Sequence, residues 1–78
     1  MRTFDDALGR PWQAALQEAS YGSIALVFSP LHGDGLRRLP MPVQTLTEAE
    51  AELAALDEAA LRGLLDKAQP WDPGTDPA

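Results

Sequence analysis

Residues 23–43 read SIALVFSPLHGDGLRRLPMPV, and the fold turns on whether this is a strand, a turn and a second strand. Residues 23–29 carry Ile24, Val27 and Phe28, side chains that suit a pleated, packed surface. Alternation sends Ile24, Leu26 and Phe28 to one side and Ala25 and Val27 to the other. Both sides are apolar, which predicts a strand in the interior of a sheet. His-Gly-Asp-Gly at 32–35 supplies two glycines that can take positive φ, and so predicts a hairpin loop. The second strand is predicted over 36–43, with Leu39, Met41 and Val43 on the apolar side. Pro40 and Pro42 have no N–H to donate, which assigns this strand to the sheet edge.

Arg37 and Arg38 sit side by side in that second strand. One reading makes them a clamp for an anion, since a guanidinium is a bidentate donor. The other makes them charges that discourage pairing at an exposed edge. Alternation puts Arg37 at the start of the apolar face and Arg38 on the opposite one, so a shared ligand needs a bulge. Gly35 is the residue that would supply it.

Residues 11–19 admit two readings. As a helix, Trp12, Ala15, Leu16 and Ala19 form an i, i+3, i+4, i+7 stripe, and Pro11 suits a first turn. As a strand, Trp12, Ala14 and Leu16 share a face with Gln13 and Gln17 opposite. Local propensity favours the helix. The turn-like "DALGR" before it joins "RTF" to this segment as a hairpin would, and favours the strand.

Further along, the chain becomes rich in Ala, Leu and acid. Thr47 and Glu50 have capping-box spacing and predict a helix start. Asp57 predicts a second start, with Leu56 and Leu61 placed as a hydrophobic staple. Leu46, Ala49, Leu53 and Leu56 make one stripe. Leu61, Leu64, Leu65 and Ala68 make another, rotated by roughly 90° if a single helix ran at 3.6 residues per turn. Two short helices account for that rotation, and Pro70 ends the second. Residues 69–78 carry no helix or strand pattern. A single α+β domain is expected over 1–70, followed by an extended or disordered tail over 71–78.

These residues resemble a group of short uncharacterised bacterial proteins. Those share a Thr-Phe-x-Asp-x-x-Gly-Arg-x-Trp start, matched here by Thr3 to Trp12, and an Arg-Arg-Leu-x-Pro-x-Pro strand, resembled here by RRLPMP at residues 37–42, whose two prolines fall one position earlier. The resemblance implies a strand for the Trp12 segment and a helical end, and implies no activity.

Composition narrows the function. The 78 residues hold 12 acids against 6 Lys and Arg, a formal charge of −6 that disfavours nucleic acid and anionic membrane as partners. There is no cysteine, so disulfide and Cys-zinc staples are excluded. A domain this small buries only ~60% of its unfolded surface, which leaves oligomerisation or a partner as the remaining staple. The longest apolar run, IALVF, falls far short of the ~20 residues that cross a bilayer. The start of the chain has no signal-peptide pattern, and a cytoplasmic setting is expected.

No catalytic constellation is legible. His32, Asp34 and Ser29 lie in or beside one turn without a nucleophile elbow. Glu48, Glu50, Glu52, Asp57 and Glu58 are spread around helices and cannot chelate together. An enzyme is therefore not expected, nor a metal or other cofactor. The expected function is a non-enzymatic protein–protein interaction or regulatory module, working on a protein partner or as a homodimer. The alternative is a protein that binds a small anion with Arg37 and Arg38. The candidate partner-binding residues are Trp71, Arg37, Arg38 and Trp12. The expected fold is a small antiparallel sheet of three to four strands with two short C-terminal helices on one face. Leu26, Phe28, Leu39, Met41, Leu53, Leu61 and Leu64 are expected between the layers.

Overall fold

The computed structural model describes residues 2–18, 23–33 and 35–71. Among these residues, five strands and two helices follow in the order β1 (Arg2–Asp5), β2 (Pro11–Glu18), β3 (Ile24–Pro30), β4 (Arg37–Pro40), α1 (Leu46–Ala55), α2 (Glu58–Lys67) and β5 (Gln69–Pro70). The strands lie side by side in chain order, every neighbour antiparallel. The class is α+β, with both helices packed against the sheet. Among the described residues no helix is long and apolar enough to cross a membrane.

Residues 11–18 are a strand. Their own propensity favours helix, but β2 is hydrogen-bonded to β1 on one side and β3 on the other. A helix there would leave both neighbours' backbone groups without partners, a cost that outweighs a few tenths of a kcal/mol per residue of propensity. Ala19, which ended the predicted stripe, lies outside the described residues, as do Asp34 and, of the expected 71–78 tail, all but Trp71.

The register explains the core. Phe4 stands opposite Trp12, Ala14 opposite Phe28, Leu16 opposite Leu26, and Leu26 opposite Leu39. These partners share one face, and the helices cover it. Leu53 of α1 and Leu61, Leu65 and Ala68 at and just past α2 complete the cluster. Phe28, Leu26 and Leu61 are fully buried, each contributing ~1.5–3 kcal/mol of apolar burial. Phe4 and Phe28 meet edge to face at 5.9 Å, a geometry that adds ~0.5–1.5 kcal/mol. Of the residues expected between the layers, Leu39, Met41 and Leu64 are only half-buried against the cluster. Leu65, four residues on from Leu61, takes the inward position in α2.

Three local expectations need correction. The start of α1 is capped by Thr45, two residues before the predicted Thr47. Its hydroxyl oxygen accepts from the Glu48 N–H at 3.1 Å and its O–H lies 3.3 Å from the Glu48 carboxylate. The sequence offers the same Thr-x-x-Glu spacing in two frames, and the frame that turns Ala49 and Leu53 inward wins. At α2 the predicted cap holds: Asp57 accepts from the Ala60 N–H at 2.8 Å. The second correction is that β4 is shorter than 36–43. It stops at Pro40, with one further bond from the Met41 N–H to the Ile24 carbonyl. The third is that β4 is not the edge of the sheet. Gln69 and Pro70 pair with Arg38 and Arg37, and the Trp71 N–H donates to the Leu36 carbonyl at 2.9 Å. A two-residue strand containing a proline has no pattern to read, so β5 was invisible in the sequence.

Candidate functional site

The hairpin joining β1 and β2 is built around Asp6. Its Oδ1 accepts from the N–H groups of Leu8 at 2.8 Å and Arg10 at 2.9 Å, and its Oδ2 from the Trp12 indole N–H at 2.9 Å. Gly9 closes the turn at φ +80°, which a side chain rarely adopts. The Arg10 amide and then the Trp12 indole, helped by the Leu8 amide and the Arg10 charge, hold the Asp6 carboxyl below its ordinary value; partial desolvation opposes them. Asp6 was not among the predicted functional residues. "DALGR" signalled a turn, but nothing in it said that the carboxylate reaches Trp12.

Trp12 is buried at 7% exposure and belongs to the core cluster. Its one side-chain polar atom is already bonded to Asp6, so the indole N–H is engaged within the fold. The guanidinium carbon of Arg37 stands 5.4 Å from the Trp12 ring centroid. The same guanidinium donates to the Leu65 carbonyl, in the last turn of α2, at 3.2 Å. Such stacking gives ~0.5–2 kcal/mol, depending on desolvation, and the bond adds a charged donor to a helix-end carbonyl that also accepts from the Ala68 N–H at 3.2 Å.

Arg38 points to the other face, as alternation predicted, and meets the other tryptophan. Its guanidinium carbon lies 5.7 Å from the Trp71 ring centroid. Trp71 is held there by the β5 pairing and its own N–H bond to Leu36. The structure therefore divides the four predicted site residues into two Arg–Trp pairs on opposite faces of the sheet. Arg37 and Trp12 face the helices; Arg38 and Trp71 do not. No bulge at Gly35 brings the two guanidiniums together: Arg37 stands opposite Phe28 and Arg38 opposite Val27 in unbroken register.

The outer pair borders a concavity. A hollow of about 300 Å³ is lined by Arg38, Leu39, Pro40, Lys67, Gln69, Pro70 and Trp71. Arg38 Nε and Trp71 Nε1 are buried there without a hydrogen-bond acceptor among the described residues. A buried donor left so costs about 1–3 kcal/mol.

A second concavity lies at the opposite end of the sheet. It is a cleft of about 540 Å³ between α1 and β2, lined by Arg2, Ala15, Leu16, Leu46, Glu50, Leu53 and Ala54. β1 pairs with β2 only as far as Ala14. Residues 15–18 run on past it, and among the described residues no strand pairs with them on that side. Leu46, on the cleft wall, is 38% exposed. Sequence reasoning missed this cleft, because Leu46 and Leu16 are 30 positions apart and each reads singly as a core residue. His32 lies exposed in the β3–β4 loop, and among the described residues no three His, Asp or Glu side chains gather as a metal site. No family model, curated protein or solved structure matches the chain.

Proposed function

We propose that this protein is a non-enzymatic interaction module that takes a segment of a partner protein into the cleft between α1 and β2. The observation that carries the reading is the combination of an apolar-walled cleft with a stretch of β2 that outruns β1. An extended segment laid along 15–18 would add backbone hydrogen bonds to the sheet and place a side chain against Leu16, Leu46 and Leu53. A charge of −6 makes a protein a better partner than nucleic acid or an anionic membrane. A cytoplasmic setting suits the cysteine-free composition.

The test replaces Leu46 by Asp. Leu46 is the first residue of α1, where an acid favours the helix, so the variant keeps its fold. Quantitative affinity capture from the native host, with light scattering alongside, compares it with wild type and with Leu31→Asp, an exposed control in the β3–β4 loop. The reading expects a protein, or a second copy of the chain, bound by wild type and Leu31→Asp and lost with Leu46→Asp. Identical capture by all three, each scattering as a monomer, overturns it.

A second reading, binding of a small anion by the Arg37–Arg38 strand, keeps only its Arg38 half. Arg37 is already engaged with Trp12 and the end of α2 on the other face.

A further inference from the structure

The hollow beside β5 brings together groups that the sequence keeps far apart. Arg38 comes from β4, Lys67 from the last turn of α2, and Trp71 from just beyond β5. Two of the chain's six Lys and Arg residues line this one space. None of the acids among the described residues does. Two donors in the lining, Arg38 Nε and Trp71 Nε1, are buried with no acceptor among the described residues. The Arg38 guanidinium is held against the indole, so its direction is set before any ligand arrives. At about 300 Å³, the hollow is at the lower end of the size of small-ligand pockets.

We infer that the Arg38–Lys67–Trp71 hollow is an oxyanion-binding site, taking a carboxylate or phosphate group. The oxyanion accepts from the Arg38 guanidinium, reaches the buried Arg38 Nε–H and Trp71 indole N–H as the indole shifts aside, and is neutralised by Lys67. Lys67 also lies at the negative end of α2, where a cation is favoured in its own right. The positive charge there therefore serves both the helix end and the ligand. The apolar walls, Leu39, Pro40 and Pro70, fit the short carbon frame of a small acid better than a bare ion. The inference rests on the Arg38 half of the second reading and not on the α1–β2 cleft, so the two fail separately.

The experiment follows the two indole N–H signals by ¹⁵N NMR on the full chain, with Trp71→Phe assigning them. Inorganic phosphate, succinate and a short peptide ending in a free carboxylate are titrated separately, each against sodium chloride at equal ionic strength. The expected result is a saturable displacement of the Trp71 signal by at least one oxyanion, while the Trp12 signal, bonded to Asp6, stays in place. Comparing the three arms tells a free small anion from a carboxylate borne by a protein chain. Arg38→Gln is expected to weaken binding at least tenfold and Lys67→Gln several-fold. Lys67 is exposed, so its variant remains informative if Arg38→Gln fails to fold. No displacement beyond that of chloride, or displacement that both variants leave unchanged, overturns the site. Binding seen only after Asp72→Asn also overturns it as a site for an external ligand, because the chain's own carboxylate would then be the occupant.

Discussion

Asp6 shows how much one side chain can organise. It accepts three hydrogen bonds, two from the turn it closes and one from the tryptophan that anchors the core beneath it. Those bonds favour the charged carboxylate, so its folded-state pKa is lowered, by the Arg10 amide foremost and then by the Trp12 indole. The resulting stability is fully present above the unfolded value of ~3.9 and is lost as pH falls through the lower folded value. Asp6→Asn is therefore expected to flatten the acid limb of a denaturation-midpoint curve measured below pH 4 or so. It is also expected to lower stability at neutral pH, because one amide atom then presents N–H to an indole N–H. An acid limb as steep as wild type would show that another carboxyl controls it. The turn itself was legible at this scale, since Gly9 and the polar start are local signals. The Trp12 bond was not, because Asp5 and Asp6 are equivalent in the sequence and only the register of β1 on β2 aims one of them at the indole.

At the scale of elements, two glycines make opposite demands. Gly9 sits at φ +80° and Gly63 lies inside α2 with no positive φ; a Cβ added at either meets nothing within 4 Å. Space is therefore not the issue, and backbone conformation decides the sign. Gly63→Ala is expected to raise stability by about 0.5–1 kcal/mol, and Gly9→Ala to lower it by about 1–2 kcal/mol. Urea titrations of the two variants check this, and a shift of the same sign in both would refute the conformational argument. The helices were legible because capping and apolar stripes are local, though the cap of α1 slid by two residues between two equivalent Thr-x-x-Glu frames. The strand at β2 was half legible: alternation was present, but propensity pointed the other way. β5 was not legible at all. Gln69 and Pro70 pair only because α2 returns the chain to the open edge of β4.

For the whole molecule, arginines tie the two layers together. Arg2, on the core-facing side of β1, donates to the carbonyls of Leu53 and Leu56 at 2.8 Å each. α1 has no basic residue in its own last turn, so the sheet supplies the cation that its C-terminus lacks. Arg37 brings a second cation to the end of α2 at Leu65, where Lys67 already lies, and Arg62 reaches back from α2 to the Asp5 carbonyl at 2.8 Å. The Arg62–Glu58 pair on the helix surface, 3.4 Å apart and exposed, contributes at most a few tenths of a kcal/mol. Arg2→Gln is expected to cost about 1–3 kcal/mol, from bonds between a charged donor and carbonyls at a helix end. In a domain this size that is a fall in Tm of roughly 4–8 °C per kcal/mol, readable by thermal circular dichroism. An unchanged Tm would show that water serves those carbonyls equally well.

The amino-acid sequence by itself determined the α+β class, the interior strand, read over 23–29 and found at Ile24–Pro30, the break between two short helices and the opposite facing of Arg37 and Arg38. Each of these follows from alternation, capping or backbone freedom, which act over a few residues. The tertiary structure alone decided that residues 11–18 are a strand, that Gln69 and Pro70 close the β4 edge, and that each arginine meets a different tryptophan. Those outcomes depend on which backbone groups lack partners and which side chains are desolvated together. Both are properties of neighbours in space, and spacing along the chain does not encode them.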